Sequence, residues 1–178
     1  SAGIFAASMT SQANRSYFLD SVRYWTGDDT KIVVDNDRKN EKEYEDEQKA
    51  IDDIEKELSV DIPRFLYRPE GLEFKDYNIS KDFEYALLQY NYNDTIMTLY
   101  INKYDKETKS TGASLDGKEI ETIKLPEGEA SIQVKRIMAK GDKKASYVAY
   151  WNNSTEFYQI ESQMEEKEFI KLIKNIKF

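Results

Sequence analysis

Tyr85-Ala86-Leu87-Leu88-Gln89-Tyr90-Asn91-Tyr92-Asn93-Asp94-Thr95-Ile96-Met97-Thr98-Leu99-Tyr100-Ile101 is the stretch that decides the fold. Ala86, Leu88, Tyr90 and Tyr92 recur at every second position, and Met97, Leu99 and Ile101 resume the alternation beyond Asn93-Asp94. A period of two puts one set of side chains on one face of an extended strand. Asn and Asp accept the turn conformations that join antiparallel strands. The stretch predicts a β-hairpin with one buried face.

The alternation continues in both directions. Upstream, Leu72 and Phe74 begin a strand, and Tyr77 and Ile79 lie one residue out of phase, which predicts a bulge. Downstream, residues 103–117 are polar and form a long loop ending in Asp116-Gly117. Strands are then expected over Lys118–Leu125, Ala130–Met138, Ser146–Trp151 and Glu156–Ile160, parted by Pro126-Glu127-Gly128, Lys140-Gly141-Asp142 and Asn152-Asn153-Ser154.

Helical spacing brackets this region. Phe18, Val22 and Trp25 fall at i, i+4, i+7 within Ser11–Trp25, with Ser11 as N-cap and Gly27 beyond the end. Lys31–Asp35 is a short β-prone run. A second helix is expected over Asn40–Leu58, opened by an Asn40/Glu43 capping box. Its stripe of Tyr44, Ile51, Ile54 and Leu58 is interrupted by Glu47. Val60–Pro69 reads as an extended connector, because Pro63 and Pro69 disfavour helix before them. The closing helix, Glu165–Ile176, has a Ser162/Glu165 capping box, acids in its first turn, and Lys171, Lys174 and Lys177 near its end. Phe169, Ile173 and Ile176 form its apolar face, expected to dock near Trp151. The fold class is α+β: an antiparallel sheet of about six strands in a meander, preceded by two helices and closed by a C-terminal helix. Residues 1–10 read as the end of a membrane anchor or a disordered leader, 11–60 as a helical segment and 61–178 as the sheet domain. Residues 11–178 form one globular unit.

Composition sets the chemistry. The 178 residues carry 34 acids against 26 bases, a formal charge of -8, which argues against nucleic acid as a partner. Cysteine and histidine are both absent. That removes thiol nucleophiles, disulfides, thiolate zinc sites, the Ser-His-Asp triad and any imidazole proton shuttle. A carboxylate pair, a Ser-Lys pair or hard-cation binding through oxygen remains open.

Each candidate for such work has a plain structural alternative. Asp35-Asn36-Asp37 with Glu41, Glu43 and Asp46 resembles a calcium loop, yet Lys39 and Asn40 stand where an oxygen ligand and glycine are required. A solvated acidic helix start explains it better, and no metal or cofactor is expected. Asp76, Asp82, Glu84, Asp94 and Glu156 lie on or near strands, where two of them could act as acid and base; among so many acids, chance proximity is the simpler account. Tyr90, Tyr92, Tyr100, Tyr147 and Tyr150, with Trp151 and Tyr158, offer flat rings for a glycan or peptide, against the alternative that they fill the core. Those five tyrosines are the candidate interaction residues; no catalytic residue is assigned.

Ile62-Pro63-Arg64-Phe65-Leu66-Tyr67-Arg68-Pro69-Glu70-Gly71-Leu72 resembles the opening pattern of the domain of unknown function 4367 family. Ala149-Tyr150-Trp151, Phe157-Tyr158-Gln159-Ile160 and the Glu165–Ile176 helix are similar to that family's closing pattern, and Ala13–Phe18 to the segment after its membrane helix. Arg68 makes the Pro-flanked segment more basic than the family pattern. The resemblance implies a single-pass membrane protein of Gram-positive bacteria with this domain outside the membrane. It also favours Ser1–Ser8 as the outer end of an anchor. Some relatives accompany sigma-factor genes, which implies sensing or anti-sigma-type regulation. The expected function is a non-catalytic sensing or interaction module whose partner is an unknown protein or cell-wall ligand. The alternative is a surface carbohydrate-acting enzyme using two carboxylates.

Overall fold

The computed structural model describes residues 36–103, 117–125 and 130–178, with residues 36–41 described by backbone alone. The expected Ser11–Trp25 helix, the Lys31–Asp35 run, most of the 103–117 loop and the Pro126-Glu127-Gly128 turn lie outside the described residues.

The hairpin forms as its alternation dictates. Strands β3 (Tyr85–Tyr92) and β4 (Thr95–Lys103) pair with Tyr92 opposite Thr95 and Leu88 opposite Leu99, across a two-residue turn at Asn93-Asp94. Asn93 takes a positive φ of 50°, which Asn tolerates through its short polar side chain. Strand β2 (Leu72–Ser80) flanks β3, and its register shifts between Phe74 and Asp76. That bulge keeps Phe74, opposite Tyr90, on the same face as Tyr77, opposite Leu88. Gly71, at φ +82°, lets the chain enter β2 against the turn: a Cβ there would lie 2.7 Å from Asn93 Oδ1.

The second half contributes β5 (Lys118–Lys124), β6 (Ser131–Ile137), β7 (Ser146–Asn152) and β8 (Glu156–Ser162). The sheet is a single antiparallel layer of seven strands in the order β2-β3-β4-β8-β7-β6-β5. This corrects the expected six-stranded meander. After β4 the chain crosses to the far edge and returns, so that β8 pairs with β4. Burial explains the order: every residue of β8 is buried, as a central strand requires, whereas β5 is exposed or half-buried along its length.

Helix α1 (Asn36–Leu58) starts four residues before the expected Asn40. Asn40 is therefore inside the helix and cannot cap it. Ala50, Ile51, Ile54 and Leu58 are buried against the sheet, while Tyr44 is 69 % exposed, outside the stripe assigned to it. Helix α2 (Glu166–Lys174) is capped at Glu165 without a side-chain bond. Ser162 belongs to β8 and its Oγ accepts from the Met164 N–H at 3.1 Å, so the expected capping box does not form. Acids in the first turn and Lys171 and Lys174 in the last complement the helix dipole. Phe169, Leu172 and Ile173 are buried. Ile176 lies beyond the helix in β9 (Ile176–Lys177), which pairs with β1 (Arg64–Phe65) in a separate two-stranded sheet. Both helices contribute to one core with Leu88, Leu99, Ile101 and Ile160. A second cluster, Leu87, Tyr100, Val148, Tyr150 and Phe157, occupies the opposite face of the sheet.

Candidate binding cavity

Trp151 and Tyr158 are register partners across the β7–β8 hairpin. The turn between them is fixed by Asn153, whose Oδ1 accepts the N–H groups of Thr155 at 2.8 Å and Glu156 at 2.6 Å. The two rings stack with centroids 5.0 Å apart and planes 7° from parallel. Phe178 stands edge-on to both, at 6.2 Å from Trp151 and 5.3 Å from Tyr158. The β1–β9 pair brings Phe178 and Leu66 to this end of the sheet, with the Leu66 N–H donating to the Asn175 carbonyl at 2.9 Å.

These pieces enclose a cavity of about 450 Å³. Leu66, Leu125, Ile176, Trp151 and Phe178 supply its apolar lining. Asp61, Asn153, Lys174, Asn175 and Lys177 supply the polar part. Lys174 is ion-paired with Glu121. The Tyr158 hydroxyl donates to the Asp61 carbonyl at 2.8 Å. Burial, then the nearby Glu156 and Asp61 charges, pushes that phenol far above its ordinary value, so it stays a neutral donor.

Several buried side-chain polar atoms have no hydrogen-bond partner among the described residues, and Trp151 Nε1 is one of them. The Trp151 side chain is 3 % exposed, and its Nε1–H has no acceptor among the described residues. A buried donor left without a partner costs about 1–3 kcal/mol. The volume is within the roughly 300–1,000 Å³ range of small-molecule sites, which are mostly apolar with a few placed polar groups.

The five candidate tyrosines do not assemble one surface. Tyr90 and Tyr147 are buried on the helix-covered face, with Tyr92 half-buried beside them. Tyr100 and Tyr150 are buried on the other face. Their hydroxyls serve internal bonds: Tyr90 to Glu47 at 2.7 Å, Tyr147 to Glu166 at 3.3 Å, and Tyr150 to Gln133 at 2.5 Å. Tyr100 accepts from Asn102 Nδ2 at 2.9 Å, and burial pushes its phenol up to about 12. Trp151 and Tyr158, named with these tyrosines for their flat rings, are the pair the fold does bring together.

The five candidate carboxylates lie away from the cavity, although Glu84 and Glu156 flank Lys103 from its two neighbouring strands. Asp76 sits mid-strand in β2, Asp82 and Glu84 are exposed at the β2–β3 turn, and Asp94 is exposed in the hairpin turn. Glu156, at the start of β8, accepts from Thr155 Oγ1 at 2.7 Å. None of them lines the cavity, where Asp61 is the only carboxylate among the described lining residues. Glu43, from the calcium-like stretch, accepts the Phe74 N–H, and burial raises its carboxyl.

The family comparison joins these elements. The family described as Domain of unknown function (DUF4367) matches residues 62–176, from the start of the Pro-flanked connector to β9. The chain belongs to this family. The DUF4367 match spans the whole seven-stranded sheet, α2, β1 and the first residue of β9. No curated protein and no solved structure matches the chain.

Proposed function

We propose that this DUF4367 domain is a non-catalytic sensing or interaction module, displayed outside the membrane by a single-pass protein, and that the Trp151 cavity is its binding site. The observation that supports the proposal is an open cavity of about 450 Å³ whose walls are largely apolar, with Trp151, Phe178, Leu66 and Ile176 among them. Apolar walls give affinity, and the few polar groups placed among them give orientation. The site's lining supports binding over hydrolysis, since paired acid–base work on glycosides needs two carboxylates about 5–10 Å apart. The anchor in this proposal is the apolar stretch whose outer end is Ser1–Ser8. Among the described residues no helix is long and apolar enough to cross a membrane. Occupancy of the cavity would be passed to a partner protein, in keeping with an anti-sigma-type role.

The test is a titration of the isotopically labelled chain with soluble cell-wall fragments, following the Trp151 indole resonance and the fragments together. A shifted resonance with unchanged fragments supports a binding module. Breakdown of the fragments by the folded chain would replace it with the carbohydrate-acting enzyme.

A further inference from the structure

We infer that the sheet face turned away from both helices is a docking surface for this chain's own Ser11–Trp25 segment, through its Phe18, Val22 and Trp25 stripe. Leu87, Tyr100, Val148, Tyr150 and Phe157 on that face are at most 9 % exposed. By the alternation of the strands, Gln89, Thr98, Ser146, Gln159 and Glu161 share the face, and they are buried as well. A single layer of strands hides a face this completely only when another layer lies on it. None of the described elements does so. The buried residues of α1, α2, β1 and β9 all pack into the core on the other side.

Apolar content selects the occupant. Ser11–Trp25 carries Tyr17, Phe18, Leu19, Val22, Tyr24 and Trp25, whereas the 104–116 stretch offers only Tyr104 and Leu115 as large apolar residues. As the helix its spacing predicts, the segment extends about 22 Å. That covers β3, β4, β8 and β7, whose axes span about 15 Å. The reach is sufficient too. Helix α1 lies over β3 and over β2, the strand at the sheet's edge. Residues Thr26–Asp35, between Trp25 and α1, stretch to about 35 Å. Rounding that edge crosses two layers of about 10 Å each. Charge agrees with this choice. Glu161 brings a carboxylate into the buried face, and its register neighbours Thr98 and Val148 are uncharged. Lys135, one strand further, sits over the Tyr150 ring. A carboxylate at this depth calls for a cation. The segment carries Arg15 and Arg23 against a single acid, Asp20.

The experiment labels the Leu and Val methyls of the full 178-residue chain and records nuclear Overhauser contacts from aromatic rings to them. Trp151→Phe identifies the Trp25 signals. Docking predicts contacts from the Phe18 and Trp25 rings to the Leu87 and Val148 methyls, and none to Leu88 or Leu99 on the helix-covered face. Phe18→Asp combined with Val22→Asp should erase those contacts, raise the binding of a hydrophobic dye several-fold and lower the urea midpoint. The stacked rings of Trp151 and Tyr158, on the other face, should keep their mutual contacts in that variant. Phe18 and Trp25 rings without a contact to either methyl would overturn the inference. So would contacts from those methyls to Tyr104 or Leu115 in their place, or a double variant whose dye binding and urea midpoint match the parent's.

Discussion

Glu47 and Arg68, twenty-one residues apart in the chain, form an ion pair between helix α1 and the Pro-flanked connector in which Arg68 Nη2 donates to both carboxylate oxygens at 2.5 Å. The carboxylate is 4 % exposed and also accepts from the Tyr90 hydroxyl at 2.7 Å. The Arg68 guanidinium lies over the Tyr90 ring, 5.9 Å from its centroid. A charge at this depth is tolerated because both of its oxygens are bonded.

Removing the Glu47 charge alone should therefore cost more than removing the network. Glu47→Gln leaves Arg68 and the Tyr90 hydroxyl with a weaker acceptor and should lower stability by about 1–3 kcal/mol in urea unfolding. A triple change, Glu47→Leu with Arg68→Leu and Tyr90→Phe, should recover most of that loss. If the triple variant were the least stable of the set, the pair would be a net source of stability.

These two residues also mark the limit of what the sequence tells. Glu47 reads as a break in an apolar stripe, and Arg68 as an excess charge in a family pattern; each anomaly is the other's partner. Nothing in local spacing joins positions so far apart. The hairpin and the β2 bulge were legible because alternation is a local property. Strand order was not, because placing β8 beside β4 depends on burial from both faces. Helix starts failed for a related reason: capping patterns at Asn40 and Ser162 occur by composition, and tertiary packing set the first turns elsewhere. Of the candidate site, the aromatic residues Trp151 and Tyr158 were visible as residue types. That their rings stack beside a cavity is visible only once the β7–β8 register and β9 are in place.

Helix α2 is held by its apolar face, and Phe169 is its fully buried anchor, with its ring 5.9 Å from that of Tyr147. Phe169→Ala should cost about 3–5 kcal/mol, the usual price of emptying a phenylalanine site. Thermal and urea unfolding of the variant would measure it. A loss below 1 kcal/mol would mean, by the same scale, that the helix is not docked on this sheet in solution.

Alkaline pH should unfold the chain through its buried phenols. Tyr90, Tyr100 and Tyr158 are each at most 1 % exposed, and burial raises all three above the ordinary value of 10. The unfolded chain loses those protons first. Folding stability is therefore intact below pH 10 and falls as pH rises through the folded values, Tyr100's being about 12. Each such tyrosine should contribute a loss of about 1.4 kcal/mol per pH unit within that window. Phenolate absorbance should rise together with loss of the native circular dichroism. Full ionisation of all tyrosines in a still-folded chain would contradict the burial.

The location of the protein is tested by fractionation. A chain starting at Met9 should remain soluble, and the full-length protein should sediment with membranes. Protease added outside intact cells or protoplasts should cut the domain. Recovery of intact full-length protein in the cytosol would remove both the anchor and the extracytoplasmic placement.

Binding and catalysis make opposite demands on the acids. Asp76→Asn, Asp82→Asn, Glu84→Gln, Asp94→Asn and Glu156→Gln should each leave ligand capture unchanged, since none of these residues lines the cavity. Trp151→Phe keeps a flat ring against Tyr158 and removes the N–H together with part of the cavity wall. It should weaken capture about tenfold and, as a large-to-small change at a buried site, lower stability by about 1–3 kcal/mol. A glycoside-cleaving enzyme would respond the other way, losing orders of magnitude of turnover with one carboxylate and little with the indole N–H. Calorimetric titration of the six variants, run beside a turnover assay on cell-wall fragments, separates the two. If one acid variant abolished turnover while its unfolding curve matched the parent's, the binding module would give way to the enzyme.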